Sequence, residues 1–149
     1  MPLTDKETLQ INQALFSLTH AYEVRMTQEN LPEKTGLTLY DCAVLMVIGQ
    51  CAPIQSSELA HRMDVTPSTI STYVRRLTEK GLVGMERDPK DRRTWWLYLT
   101  ESGRPAYQQI IAGTVQYTSD FLSVLNAEEQ QTLHSLLHKA VHALGYTWQ

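Results

Sequence analysis

Ser68, Thr72, Arg75 and Arg76 fall on one side of a helix at about 100° per residue, while Lys90, Arg92 and Arg93 crowd into the turn Asp88–Arg93. Serine and threonine hydroxyls bond base edges or phosphates, and a guanidinium pairs bidentately with guanine O6 and N7. Arginine at the tip of a hairpin can reach a minor groove, whose negative potential attracts it. The competing reading of Arg75 and Arg76 is a solvated helix face, with Glu79 a local partner of either.

Three histidines, His134, His138 and His142, stand at i, i+4 and i+8. Two neutral imidazoles at that spacing suit zinc, copper or nickel, but no carboxylate or thiol spacing nearby supports a site. The row equally borders an apolar stripe, and no metal and no cofactor are expected. Cys42 and Cys51 are too few for a disulfide framework and suit a reducing compartment. A redox switch at Cys42 competes with its being a small core residue. No nucleophile–base spacing, Gly-rich phosphate loop or carboxylate pair emerges, so the chain does not read as an enzyme.

These residues need elements to hold them. Residues 5 to about 29 predict a helix with Ile11, Leu15, Leu18, Tyr22 and Met26 on one face. Leu31–Gly36 breaks it. Thr38 can cap a second helix to about Gln50, apolar nearly all round from Ala43 to Ile48 and therefore buried. Cys51–Pro53 ends it. Ser56 opens a short helix with Leu59, Ala60 and Met63 inward, and Asp64–Val65 turns the chain. Thr66–Pro67 is a strong helix start, and Gly81 stops that helix after about Lys80. Its inner face is Ile70, Tyr73, Val74 and Leu77. Leu82–Arg87 and Thr94–Leu99 predict a hairpin, alternating Trp95, Leu97 and Leu99 against Trp96 and Tyr98. Trp95 reads as core, and Trp96 is left open. Thr100 caps a long helix to about residue 124, and Asn126 caps a last one with Leu133, Leu136, Leu137, Ala140 and Leu144 as its stripe.

The chain has 149 residues and a net charge of −3, enough length for one domain with helical extensions and no uniformly basic coat. The charge is uneven. Residues 62 to 93 carry eight bases and five acids, so a positive middle lies between acidic ends, a local footprint for a phosphate backbone. The longest apolar run, Cys42–Ile48, is far short of a membrane span, and the first residues lack the apolar stretch of a signal peptide. A cytoplasmic location is expected.

A short helix, a tight turn, a second helix and a hairpin follow in the order of a winged helix-turn-helix. The run Asp91-Arg92-Arg93-Thr94-Trp95-Trp96-Leu97-Tyr98-Leu99-Thr100 resembles the wing signature of the multiple-antibiotic-resistance regulator (MarR) family, Asp-x-Arg followed by five residues and Leu-Thr. Thr66 to Val83 is similar to that family's recognition helix entering its first wing strand. The resemblance covers about residues 56 to 103; the tandem Trp95-Trp96 is bulkier than the residues usual there.

The resemblance implies a mainly α fold with a small β-hairpin wing. An N-terminal dimerisation helix and connection would occupy residues 1–36, the winged helix-turn-helix 37–100 and C-terminal dimerisation helices 101–149, interlocked as one domain. It implies a homodimer on double-stranded DNA at a pseudo-palindromic operator, most often a repressor, released by a small aromatic or lipophilic anion. By likeness, Ser68, Thr69, Thr72, Arg75 and Arg76 face the major groove, and Arg93 enters the minor groove. Asp91 then holds the Arg93 guanidinium or simply caps the turn, and Lys90 and Arg92 contact phosphates. Effector-pocket candidates are His20, Tyr22, Arg25 and Tyr40, each as easily structural. The alternatives are a winged-helix protein-interaction module without specific DNA binding, or a redox- or metal-responsive regulator.

Overall fold

The computed structural model describes residues 1–28 and 36–145. They fall into two compact units divided at Leu39. The first is built on α1 (Asp5–Gln28). Thr4 and Glu7 close its N-terminus reciprocally: the Glu7 N–H donates to Thr4 Oγ1 at 3.3 Å, and the Thr4 N–H donates to Glu7 Oε2 at 2.8 Å. The expected apolar stripe is present, with Met26 buried at its end. Ile11 and Leu15 are each 50% exposed and Phe16 72%. The predicted break falls outside the described residues except at Gly36, whose φ is 64°.

The second unit begins with α2 (Leu39–Cys51), directly after Thr38. As its composition demands, Cys42, Val44, Leu45, Val47 and Ile48 are buried. Asp41 is buried beside them. Then come β1 (Ile54–Gln55), α3 (Ser56–Met63) and α4 (Pro67–Glu79). Between α3 and α4, Asp64 takes the left-handed conformation at φ 51°, which aspartate tolerates better than most residues. Thr66 caps α4 by accepting the Thr69 N–H at 3.3 Å, and Pro67 sets the first turn.

β2 (Val83–Arg87) and β3 (Trp95–Leu99) form the expected hairpin, each a residue shorter than predicted. The sheet, however, has three strands in the order β1-β3-β2, all antiparallel. Ile54 pairs with Leu97 and Gln55 with Trp96. A two-residue strand is too short for its alternation to be read, so the sequence showed only the hairpin. Gly84 lies opposite Tyr98, whose ring fills the space a Cβ would need.

Two helices follow, α5 (Gly103–Leu122) and α6 (Ala127–Ala143). Thr100 accepts the Gly103 N–H at 3.0 Å and donates to the Gly81 carbonyl, stitching the end of the wing to the end of α4. The start of α5 lies two residues beyond the predicted one, at Gly103, which packs on the Leu82 carbonyl where any Cβ would collide. Asn126 and Glu129 make a capping box at α6, with bonds of 3.0 and 2.8 Å.

The core of this unit gathers Leu45 and Ile48, Ile54, Leu59, Ile70 and Leu77, Val83, Leu97 and Ile110 from every element but α6. Among the described residues no helix is long and apolar enough to cross a membrane.

Candidate nucleic-acid interface

The core fixes which face of α4 is left over. Ile70, Val74 and Leu77 are buried and Tyr73 half-buried, so Ser68, Thr72 and Arg75 point to solvent. The Ser68 and Thr69 hydroxyls lie 3.0 and 2.9 Å from Thr66 Oγ1, and Thr72 Oγ1 donates to the Ser68 carbonyl at 3.2 Å. Each hydroxyl therefore sits in a defined rotamer and keeps capacity for an external partner. Arg75 lies 4.0 Å from Glu79, and both are more than two-thirds exposed. Such a pair is weak and easily exchanged for a phosphate or base.

Arg76 differs from the expected exposed face. Its Nε and Nη2 both donate to Asp41 Oδ1, at 3.1 and 2.7 Å. The carboxylate is 1% exposed and the guanidinium side chain 37%. Arg76 also lies over the Tyr73 ring, 5.1 Å from its centroid, and Tyr73 stacks on Tyr40 at 5.9 Å. Arg76 is thus a strut between α4 and α2. Asp41 was not foreseen; only an acidic residue on an otherwise apolar helix hinted at it.

The wing tip is organised by its acids. Asp88 Oδ1 accepts the Lys90 and Asp91 N–H groups at 2.7 and 3.2 Å. Asp91 Oδ1 accepts the Arg93 N–H at 3.0 Å, and its Oδ2 accepts the Thr94 hydroxyl at 3.2 Å. In this structure Asp91 accepts from the Arg93 backbone and the Thr94 hydroxyl, as a turn cap does. Lys90, Arg92 and Arg93 are exposed and make no ion pair among the described residues. They form a compact cationic tip. A cleft of about 400 Å³ between α4 and the wing, lined in part by Val74, Arg75, Met85 and Trp95, sets Trp95 beside α4 rather than at the tip.

The remaining candidates belong to different elements. His20 stacks on Phe16 at 6.2 Å, and Tyr22 and Arg25 are half-buried on α1. Tyr40 is exposed on α2, in the second unit. Burial and the neighbouring charge of Asp41 push the Cys42 thiol up to about 11, away from the thiolate a redox switch needs. His134 and His138 are exposed with ring centroids 4.4 Å apart. Among the described residues no group of three or more His, Cys, Asp or Glu side chains converges as a metal site.

A profile of the MarR family matches residues 37–95, the segment from α2 through the wing tip. The HTH-type transcriptional repressor MdtR of Bacillus subtilis is 34% identical over 97 residues, 65% of this chain and 63% of that repressor. An uncharacterised HTH-type transcriptional regulator of Bacillus cereus is 32% identical over 116 residues, 77% of this chain and 76% of that one. The chain belongs to the MarR family. MarR proteins and these relatives are transcriptional regulators, not enzymes.

Two solved structures carry the likeness beyond the winged segment. Streptococcus pneumoniae FabT in complex with DNA superposes with a TM-score of 0.80 at 22% identity, over 93% of this chain and 97% of FabT. The PcaV regulator of Streptomyces coelicolor with its natural ligand gives 0.73 at 24%, over 97% and 99%. At those identities the likeness is one of fold. This MarR-family wing has features that its signature does not spell out: Arg87, Asp88 and Trp96 all serve the tip. The one local signal for Asp88 was its place before Pro89, a turn composition.

Proposed function

We propose that this MarR-family chain is a dimeric DNA-binding transcription regulator, a repressor released by a small aromatic or lipophilic anion. The observation that carries the reading is the uncommitted cationic wing tip of Lys90, Arg92 and Arg93, presented with a polar α4 face that bears Arg75. In this reading Ser68, Thr69, Thr72 and Arg75 meet the major groove, Arg93 enters the minor groove, and Lys90 and Arg92 neutralise phosphates. Arg76 sets the pitch of α4. The FabT complex supports it, since a protein of the same fold is seen with DNA.

Dimerisation is supported by what the helices outside the winged region expose. Leu9, Ile11, Leu15 and Phe16 on α1 stand in solvent, as do Leu136 and Leu137 on α6 and Leu144 just beyond it. Several large apolar side chains exposed along a helix are the kind of surface that marks an interface. The regions 1–36 and 101–149 would then supply the interlocking helices and 37–100 the reading head. Two α4 helices about 34 Å apart would enter successive major grooves. An effector that favours another head spacing weakens DNA binding by its differential affinity. The PcaV complex supports a ligand-responsive role, since a protein of the same fold is seen with its natural ligand.

The test uses the full chain and a duplex selected from a randomised pool. Arg93→Ala should weaken binding and lower the slope of log affinity against log salt by about one. An unchanged affinity and slope would reject the wing as a DNA contact.

A further inference from the structure

Both wing tryptophans contact residues that lead into the tip, Trp96 by a hydrogen bond and Trp95 through the face of its ring. Trp96 pairs with Glu86 in the ladder, yet its indole Nε1–H reaches Asp88 Oδ2 at 2.9 Å. The other oxygen of that carboxylate takes the Lys90 and Asp91 N–H groups. One carboxylate therefore ties β3 to the backbone of the cationic tip. On the neighbouring pair, the Arg87 guanidinium lies over Trp95, 4.7 Å from its ring centroid, and Arg87 Nη1 donates to the Arg92 carbonyl at 3.4 Å.

An anion beside Lys90, Arg92 and Arg93 is electrostatically costly if the tip exists to meet phosphates. Its presence calls for a compensating role, and the three donors converging on it supply one. Lys90, Arg92 and Arg93 repel one another and stand on exposed chain, so a tip left free would have to be ordered at the moment of binding. A tip already held loses less freedom.

We propose that Asp88 and Trp96 are positioning residues for the wing: the indole-to-carboxylate bond holds Lys90, Arg92 and Arg93 in the pose that meets DNA, without either residue touching DNA. The inference rests on the wing being a DNA contact, and the experiment separates the two. Trp96→Phe keeps an aromatic side chain on the strand but removes the indole N–H together with its five-membered ring. Asp88→Asn removes a negative charge, and neither orientation of its amide can accept both the indole and the turn N–H groups.

The full chain and both variants are titrated against the selected duplex over a salt series. Amide hydrogen exchange of Lys90 and Asp91 and thermal melting are followed in parallel. The brace predicts that both variants weaken binding about fivefold, with faster exchange at both amides and the melting transition of the fold retained. Simple electrostatics predicts the opposite for Asp88→Asn, namely tighter binding. Tighter binding by Asp88→Asn, Trp96→Phe binding within about twofold of wild type, or unchanged amide protection in Trp96→Phe would each overturn the brace. If Arg93→Ala also binds like wild type, the DNA-contacting wing falls with it; if Arg93→Ala weakens binding and Trp96→Phe does not, only the brace falls.

Discussion

Adjacent arginines on α4 have different work. Arg75 is exposed and weakly paired, whereas Arg76 is committed to a carboxylate that water does not reach. Removing Arg76 leaves Asp41 buried with its main cationic partner gone. Arg76→Ala should therefore cost about 2 kcal/mol in urea unfolding, below the figure for a fully buried pair because the arginine end is over a third exposed. Arg75→Ala should change stability by less than about 0.5 kcal/mol while weakening duplex binding. Equal effects on stability would contradict this division. Cys42 gives a second contrast. Raised from 9.0 to about 11, its thiol holds about a hundredfold less thiolate at neutral pH than an ordinary cysteine. Iodoacetamide should label it far more slowly than a free thiol, read by peptide mass; labelling at the free-thiol rate would bring back the redox-switch reading.

At the scale of elements, the caps and stripes were legible because they are local. Thr66-Pro67, the capping Asn126, and the inward Ile70, Val74 and Leu77 all declare themselves within a few turns of chain. What escaped depends on residues far apart. Arg76 and Asp41 are separated by 35 positions, and β1 exists only because β3 offers it an edge. The wing brace was hidden for another reason: strand alternation says which side Trp96 faces but not that its N–H finds Asp88. That bond has a pH signature. The Asp88 carboxyl is held below the ordinary aspartate value, first by the Trp96 indole and then by the Lys90 and Asp91 N–H groups. A depressed carboxylate contributes its bonding in full above the ordinary value of about 3.9 and loses it as pH falls through the lowered one. The Trp96 indole proton should therefore hold its NMR position from pH 7 to about 4 and shift only below. A midpoint at or above about 3.9, or no shift in acid at all, would argue that the bond is not formed in solution.

For the whole molecule, the winged segment has a closed core and an uncommitted cationic surface, while α1 and α6 carry exposed apolar side chains. In the proposed dimer a second copy would cover those side chains and double the reading head. Net charge, −3 overall, says little about this, because the positive residues are concentrated between 62 and 93. The most direct measurement is sedimentation of the full chain with a selected duplex, joined to a footprint on that duplex. The account predicts two chains per duplex and two protected half-sites centred about 10 base pairs apart. A chain that sediments as a monomer and protects no discrete site would contradict it.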